Sequence, residues 1–140
     1  MVFVSVGDAW SAGWRLEADN AGAQFVLGRT PGEGEGQGIV VAHTDKVLAP
    51  HVWHQLVGVL NGKKLQLHVG GAMVAEKEFD GVYQHLKTPA SRFLTPELDL
   101  GGLQLGTTQS QPSQGRFDID ELALFSRALE AARVAALYGQ

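Results

Sequence analysis

Residues 53–71 read WHQLVGVLNGKKLQLHVGG, two apolar-rich runs on either side of an Asn-Gly pair. In the second run Leu65, Leu67 and Val69 alternate with Lys64, Gln66 and His68, the period of two that marks a half-buried strand. In the first run Trp53, Val57 and Val59 share one face with Gln55, and Leu56 and Leu60 share the other with His54 and Gly58. A two-residue turn at Asn61-Gly62 would set Val59 against Lys64 and Val57 against Gln66, mixing the faces. A three-residue loop of Asn61, Gly62 and Lys63 sets Val59 against Leu65 and Val57 against Leu67. A one-residue slip turns every side chain to the wrong face. The sequence therefore predicts the odd-length, bulged loop, with Gly62 or Asn61 left-handed and Trp53 in the core.

Upstream of this hairpin, residues 2–6 (VFVSV) read as a strand. Trp14, Leu16 and Ala18 alternate with Arg15, Glu17 and Asp19 in a second strand, residues 19–22 form a turn, and residues 24–27 form a third strand, together a meander. Residues 29–38 (RTPGEGEGQG) lack the Gly-Lys-Ser/Thr ending of a phosphate cradle, and Glu33 and Glu35 would repel a phosphate, so they read as a solvated loop. Residues 39–42 form a short strand, and Leu48-Ala49-Pro50 leads into the hairpin.

Downstream, residues 76–97 carry Pro89, Pro96 and few periodic signals, which predicts a long irregular stretch of the kind that is functional or covers a sheet edge. Leu98, Leu100, Leu103 and Leu105 return to strand pattern around Gly101-Gly102, and residues 107–114 are a polar loop. Phe117, Ile119, Leu122, Leu124 and Phe125 predict a strand over 116–125, with a phase shift that places a bulge at Asp120 or Glu121. Ser126 caps the turn at 127–129. A short helix over 131–138 then buries Val134 and Leu137 and stops at Gly139.

With 140 residues, 44% of them hydrophobic, the chain suits a single domain over residues 1–140 that removes roughly two-thirds of its surface from water. Eighteen glycines and few helical patterns favour many short strands. The net charge of −4 is spread along the chain and gives no electrostatic footprint for nucleic acid. No apolar run approaches the ~20 residues that span a bilayer, and no basic segment followed by an apolar one opens the chain as a signal peptide would. The absence of cysteine excludes disulfides and thiolate metal sites without fixing a compartment.

Two stretches together resemble the laminin G-like, concanavalin A-like family of jelly-roll domains. One is Trp53-His54-x-Leu56-Val57, Asn61-Gly62 and Leu65-x-Leu67-His68-Val69-x-Gly71. The other is Gly115-x-Phe117-x-Ile119-Asp120-Glu121-Leu122, Phe125-x-Arg127-x-Leu129 and Val134-x-x-Leu137-Tyr138. The resemblance covers about the C-terminal two-thirds, and residues 98–106 sit where the family carries a strand ending in glycine. The chain departs from the pattern at Gly70, where the family has aspartate, and at Glu130 and Arg133, where a serine-to-glutamate capping box is common. Family domains also have a further strand before Val2. Either that strand is missing, leaving an exposed sheet edge as a homodimer seam, or residues 2–6 replace it.

The resemblance implies an all-β, two-sheet antiparallel jelly-roll sandwich with one short C-terminal helix. It also implies an extracellular or cell-envelope setting. Related sandwich glucanases place a glutamate, an aspartate and a glutamate at alternate positions of one strand. Here Asp118, Asp120 and Glu121 begin with aspartate and lose the alternation at the third acid, which points away from catalysis. Many jelly rolls of this superfamily bind calcium, which takes six to eight oxygens. Asp118 and Asp120 are the candidate ligands, joined by Asp80 or Asp99 from other loops.

His43, His51, His54, His68 and His85 show no zinc spacing, and His54 and His68 read as a hydrogen-bonded or solvent-facing pair across the hairpin. Trp10, Trp14 and Tyr83 are candidate sugar-stacking platforms, with Arg92 as a further ligand-binding candidate. No nucleophile elbow or serine-histidine-aspartate arrangement occurs. The expected function is a non-catalytic recognition module that takes a glycan or protein through loops or a concave sheet face. The alternatives are a structural or interaction domain of a larger extracellular or envelope protein, and a divergent glycan hydrolase using the acids at 118–121.

Overall fold

The computed structural model describes residues 2–7, 13–30, 39–80, 82–83, 103–105 and 116–139. Strands β1 (Val2–Gly7), β2 (Gly13–Ala18), β3 (Ala23–Thr30) and β4 (Ile39–His43) form an antiparallel meander. The second sheet is β5 (Leu56–Asn61), β6 (Lys64–Val69) and β7 (Ala72–Glu78), in that spatial order. Two short strands complete the first sheet. β8 (Val82–Tyr83) pairs with the end of β3, and β9 (Leu103–Leu105) pairs with β1, giving the order β4-β3-β2-β1-β9. One helix, α1 (Ala131–Tyr138), follows near the C-terminus. The expected two-sheet antiparallel sandwich with a short C-terminal helix is the observed architecture.

Register explains the core. Val4, Leu16, Phe25 and Ala42 stand opposite one another across four strands, and Leu27 and Val40 continue the same face one row along. Leu65, Leu67 and Val69 of β6 pack against them. Leu65 and Leu67 are fully buried, which stabilises the fold by roughly 2–3 kcal/mol for each side chain. Between β2 and β3, the Asp19 carboxylate accepts hydrogen bonds from the Ala21 and Gly22 N–H groups, at 2.8 and 3.0 Å. The Ala21 bond leads in holding the Asp19 pKa below its ordinary value. Residues 19–22 are thus the expected turn, built as an Asx turn.

The hairpin differs from both registers considered in sequence. Asn61 pairs with Lys64, Leu60 with Leu65, Gly58 with Leu67 and Leu56 with Val69, so the turn is the two-residue Gly62-Lys63. Gly62, at φ 60, holds the position that glycine takes in a type II′ turn. The odd-length loop is therefore wrong, and so is the face assignment behind it. The core face of β5 is Leu56, Gly58 and Leu60, and the apparent gap at Gly58 is filled from the other sheet. A Cβ there would lie 2.7 Å from the Phe25 ring. Val59 is also buried, on the outer face, so alternation alone could not distinguish the faces.

Two further expectations are corrected. β7 runs through Glu78, although residues from 76 onward read as irregular; Glu76, Lys77 and Glu78 disguise a strand at the border of its sheet. Residues 116–125, expected as a strand, are not in a β-ladder, although Glu121 does adopt the irregular backbone expected near it, at φ 54. Of the two alternatives for residues 2–6, the structure has no open edge at β1, which pairs with β2 on one side and β9 on the other, as a strand in place of the family's first one would. Among the described residues, β4, β8 and β9 border the large sheet and β5 and β7 the small one.

α1 has the expected span, with Val134 fully buried and Leu137 half-buried. Its first turn is held by Arg133 and Val134 N–H groups donating to the Glu130 carbonyl, without a side-chain cap. The helix docks on the turn between β6 and β7. A Cβ at Gly71 would lie 3.0 Å from the Tyr138 Cβ and 3.3 Å from the Ala135 Cα, so glycine is what admits the helix this close.

Candidate functional site

At the end of the small sheet where β5 begins, three segments converge: the connection 44–55, the Gly70-Gly71 turn and the C-terminal end of α1. Gln55 ties two of them together. Its main-chain carbonyl accepts from Gly70 N–H and its side-chain Oε1 accepts from Gly71 N–H, both at 3.0 Å. The connection is braced internally as well. The His54 ring Nε2 bonds the Ala49 carbonyl at 2.9 Å, Lys46 N–H donates to Thr44 Oγ1, and Thr44 N–H donates to the Ala23 carbonyl. His51 lies in the left-handed region at φ 61, a conformation that costs a non-glycine residue about 1 kcal/mol and often marks a functional loop.

This braced connection presents Trp53 with 69% of its surface exposed, beside the exposed Val52. Tyr138, also exposed, stands over Gly70 and Gly71 at the same end. Trp53 is therefore a surface aromatic and not the core residue that the alternation suggested. The count of alternating positions began at residue 53, whereas the strand begins at Leu56, after the bend fixed by His54. A tryptophan followed by histidine just after Pro50 was the available signal for a structured loop.

The other candidates fall as follows. Trp14 faces inward, half-buried, with its ring edge-on to Phe25 at 6.3 Å, so it belongs to the core and offers no platform. Trp10 and Arg92 lie outside the described residues, as do Asp99 and His85. Tyr83 pairs through its backbone with Arg29. Asp118, Asp120 and Glu121 are all exposed on the stretch that is not in a ladder. Among the described residues no three acidic or histidine side chains converge as a metal set. Asp80 is engaged elsewhere, 3.8 Å from Lys63.

His54 and His68 do not pair. His68 stands opposite Val57, buried on the outer face, with neither ring nitrogen hydrogen-bonded. Desolvation holds its pKa below the ordinary imidazole value.

The outer face of the large sheet is not free surface at its centre. Ser5, Arg15 and Val26 lie in one row there, and all three are buried. Glu17 joins this face by accepting from Arg15 Nε at 2.7 Å and from Gln24 Nε2 at 2.6 Å.

At the opposite end of the small sheet, an open cleft of about 960 Å³ separates the start of β4 from the end of β7. Asn61, Lys63, Lys64, Lys77 and Phe79 contribute to its wall. Lys64 sits 3.0 Å from Glu76 and 3.3 Å from Glu78, contacts that raise its pKa, the Glu76 hydrogen bond foremost. Gln66 Nε2 donates to Glu76 at 2.7 Å and is the leading cause of the lowered Glu76 pKa.

A family profile described as the concanavalin A-like lectin/glucanases superfamily matches residues 1–135. No curated protein sequence matches the chain. Among solved structures, an S-layer domain-containing protein from Clostridium thermocellum aligns at 20% identity with a TM-score of 0.47, covering 92% of this chain and 57% of that one. The chain thus spans little more than half of that structure.

Proposed function

The chain belongs to the concanavalin A-like lectin/glucanase superfamily, and from that membership we propose that it is a non-catalytic recognition module whose ligand is a carbohydrate held at the Trp53 end of the small sheet. The observation that carries this reading is the 69% exposure of Trp53 on a connection pinned by His54 and Gln55. A planar indole on a braced backbone packs against the apolar face of a pyranose with little ordering cost, since only its two side-chain torsions need fixing. The burial of Ser5, Arg15 and Val26 on the outer face of the large sheet favours this end over a sheet-face site. The exposed, unconverged acids at 118, 120 and 121 support a binding role over hydrolysis. An extracellular or cell-envelope setting accords with such a module.

Glycan-array screening followed by calorimetry tests this reading. Trp53→Ala is expected to weaken the best glycan roughly tenfold, the loss of about 1.4 kcal/mol of stacking, with an unchanged melting temperature. Hydrolysis of a β-glucan that disappears in Asp120→Asn would overturn the non-catalytic assignment.

A second reading, an interaction domain of a larger protein, has its own support. Ile119, Leu122 and Phe125 are exposed together on residues 116–125. A blank array with concentration-dependent association, abolished by Phe125→Ser, would favour it.

A further inference from the structure

We infer that the cleft between β4 and β7 is a second binding site, one that takes a carboxylate-bearing glycan and anchors it through Lys77. The site stands apart from the Trp53 platform. β6 runs its full six residues between the two ends, about 20 Å at strand rise, so neither site depends on the other.

The register of β7 singles out Lys77. It pairs with Leu65, whose side chain is fully buried, so Lys77 leaves the strand on the side that faces the core. It is nonetheless exposed, because the sandwich opens here into the cleft beside Val40 and Val41. The neighbouring lysines already have acidic partners, Glu76 and Glu78 for Lys64 and Asp80 for Lys63. Lys77 forms no ion pair among the described residues, which leaves one uncompensated ammonium on a concave wall. A single carboxylate is its complement.

The rest of the wall suits a sugar ring. Asn61 offers an amide donor and acceptor, and Phe79, half-buried, supplies an apolar surface. The Phe79 N–H donates to the Lys63 carbonyl at 3.0 Å, which fixes that residue at the cleft. Glu78 and Asp80 on the same wall disfavour a polymer with several anionic groups on each ring, such as a sulfated glycan, and favour one carboxylate per ring, as in a uronic acid oligomer. An added peptide strand is the weaker occupant, because a charge on the inward side of a border strand obstructs strand pairing.

The test is calorimetric titration with tetragalacturonate and with its methyl ester, which keeps the rings and removes the charge. Tetragalacturonate is expected to bind the intact chain, to weaken roughly fivefold in Lys77→Gln, and to weaken again as salt rises from about 50 to about 300 mM. The methyl ester is expected to bind the intact chain no better than the acid binds Lys77→Gln. Trp53→Ala is expected to leave tetragalacturonate binding unchanged, which separates this site from the platform. No binding of tetragalacturonate, equal binding of the ester, or unchanged binding in a Lys77→Gln variant with an unaltered melting temperature would each overturn the site. Competition by poly-glutamate as strong as by the uronide would overturn the glycan class. Loss of binding in Trp53→Ala would overturn its independence.

Discussion

His68 carries two unpartnered ring nitrogens on a buried side chain, a combination that ordinarily costs about 1–3 kcal/mol. Burial lowers its pKa from the ordinary 6.5, so the unfolded chain takes up this proton before the folded one does. The stability tied to neutral His68 is complete above pH 6.5 and declines as pH falls below it. His68→Leu is expected to raise stability at pH 7 by roughly 1 kcal/mol and to flatten the fall of the urea midpoint between about pH 7 and 5. An acid-sensitive midpoint that persists in the variant would assign that sensitivity to other groups. Gly58 makes the opposite kind of demand. Gly58→Ala would drive a methyl into the Phe25 ring and is expected to cost about 1–3 kcal/mol, read as a lower melting temperature. Phe25→Leu in the same chain should recover part of that loss.

Among the elements, α1 and the first three strands were legible because local pattern and burial agree there. Val134 and Leu137 lie on the docked side of the helix, and the meander's alternation matches a sheet with one strongly apolar face. The hairpin was legible in existence and illegible in register. Its apolar positions occur on both faces, and the residue that decides between them, Gly58, acts through a ring more than thirty residues away in sequence. β7 is masked by charges that belong to a border strand, and the pattern over residues 116–125 misleads because apolar spacing does not report whether a ladder forms. The exposure of Trp53 was hidden for a separate reason, since the alternation counts it into a strand that begins only at Leu56. Val134→Ala is expected to destabilise the protein by about 1–2 kcal/mol. It should also speed amide exchange at Gly71 more than at Leu65, because α1 rests on the former and the core surrounds the latter.

Across the whole molecule, the two ends of the small sheet differ in chemistry. One is aromatic and braced, around Trp53, and the other is a polar cleft with one uncompensated lysine. Glycan binding at the first end should therefore respond weakly to salt and strongly to Trp53→Ala, with thermal stability preserved because the side chain is mostly outside the fold. The order of the large sheet bears on how the chain is made. β1 is flanked by β2, which follows it closely, and by β9, which arrives about a hundred residues later. While the ribosome is still extending the chain, the meander can form with one side of Val2–Gly7 unpaired, a valine-rich edge that another nascent chain can capture. Synthesis paused or terminated before Leu103–Leu105 should therefore yield aggregates, and the supply of chaperone during that interval should set the soluble yield.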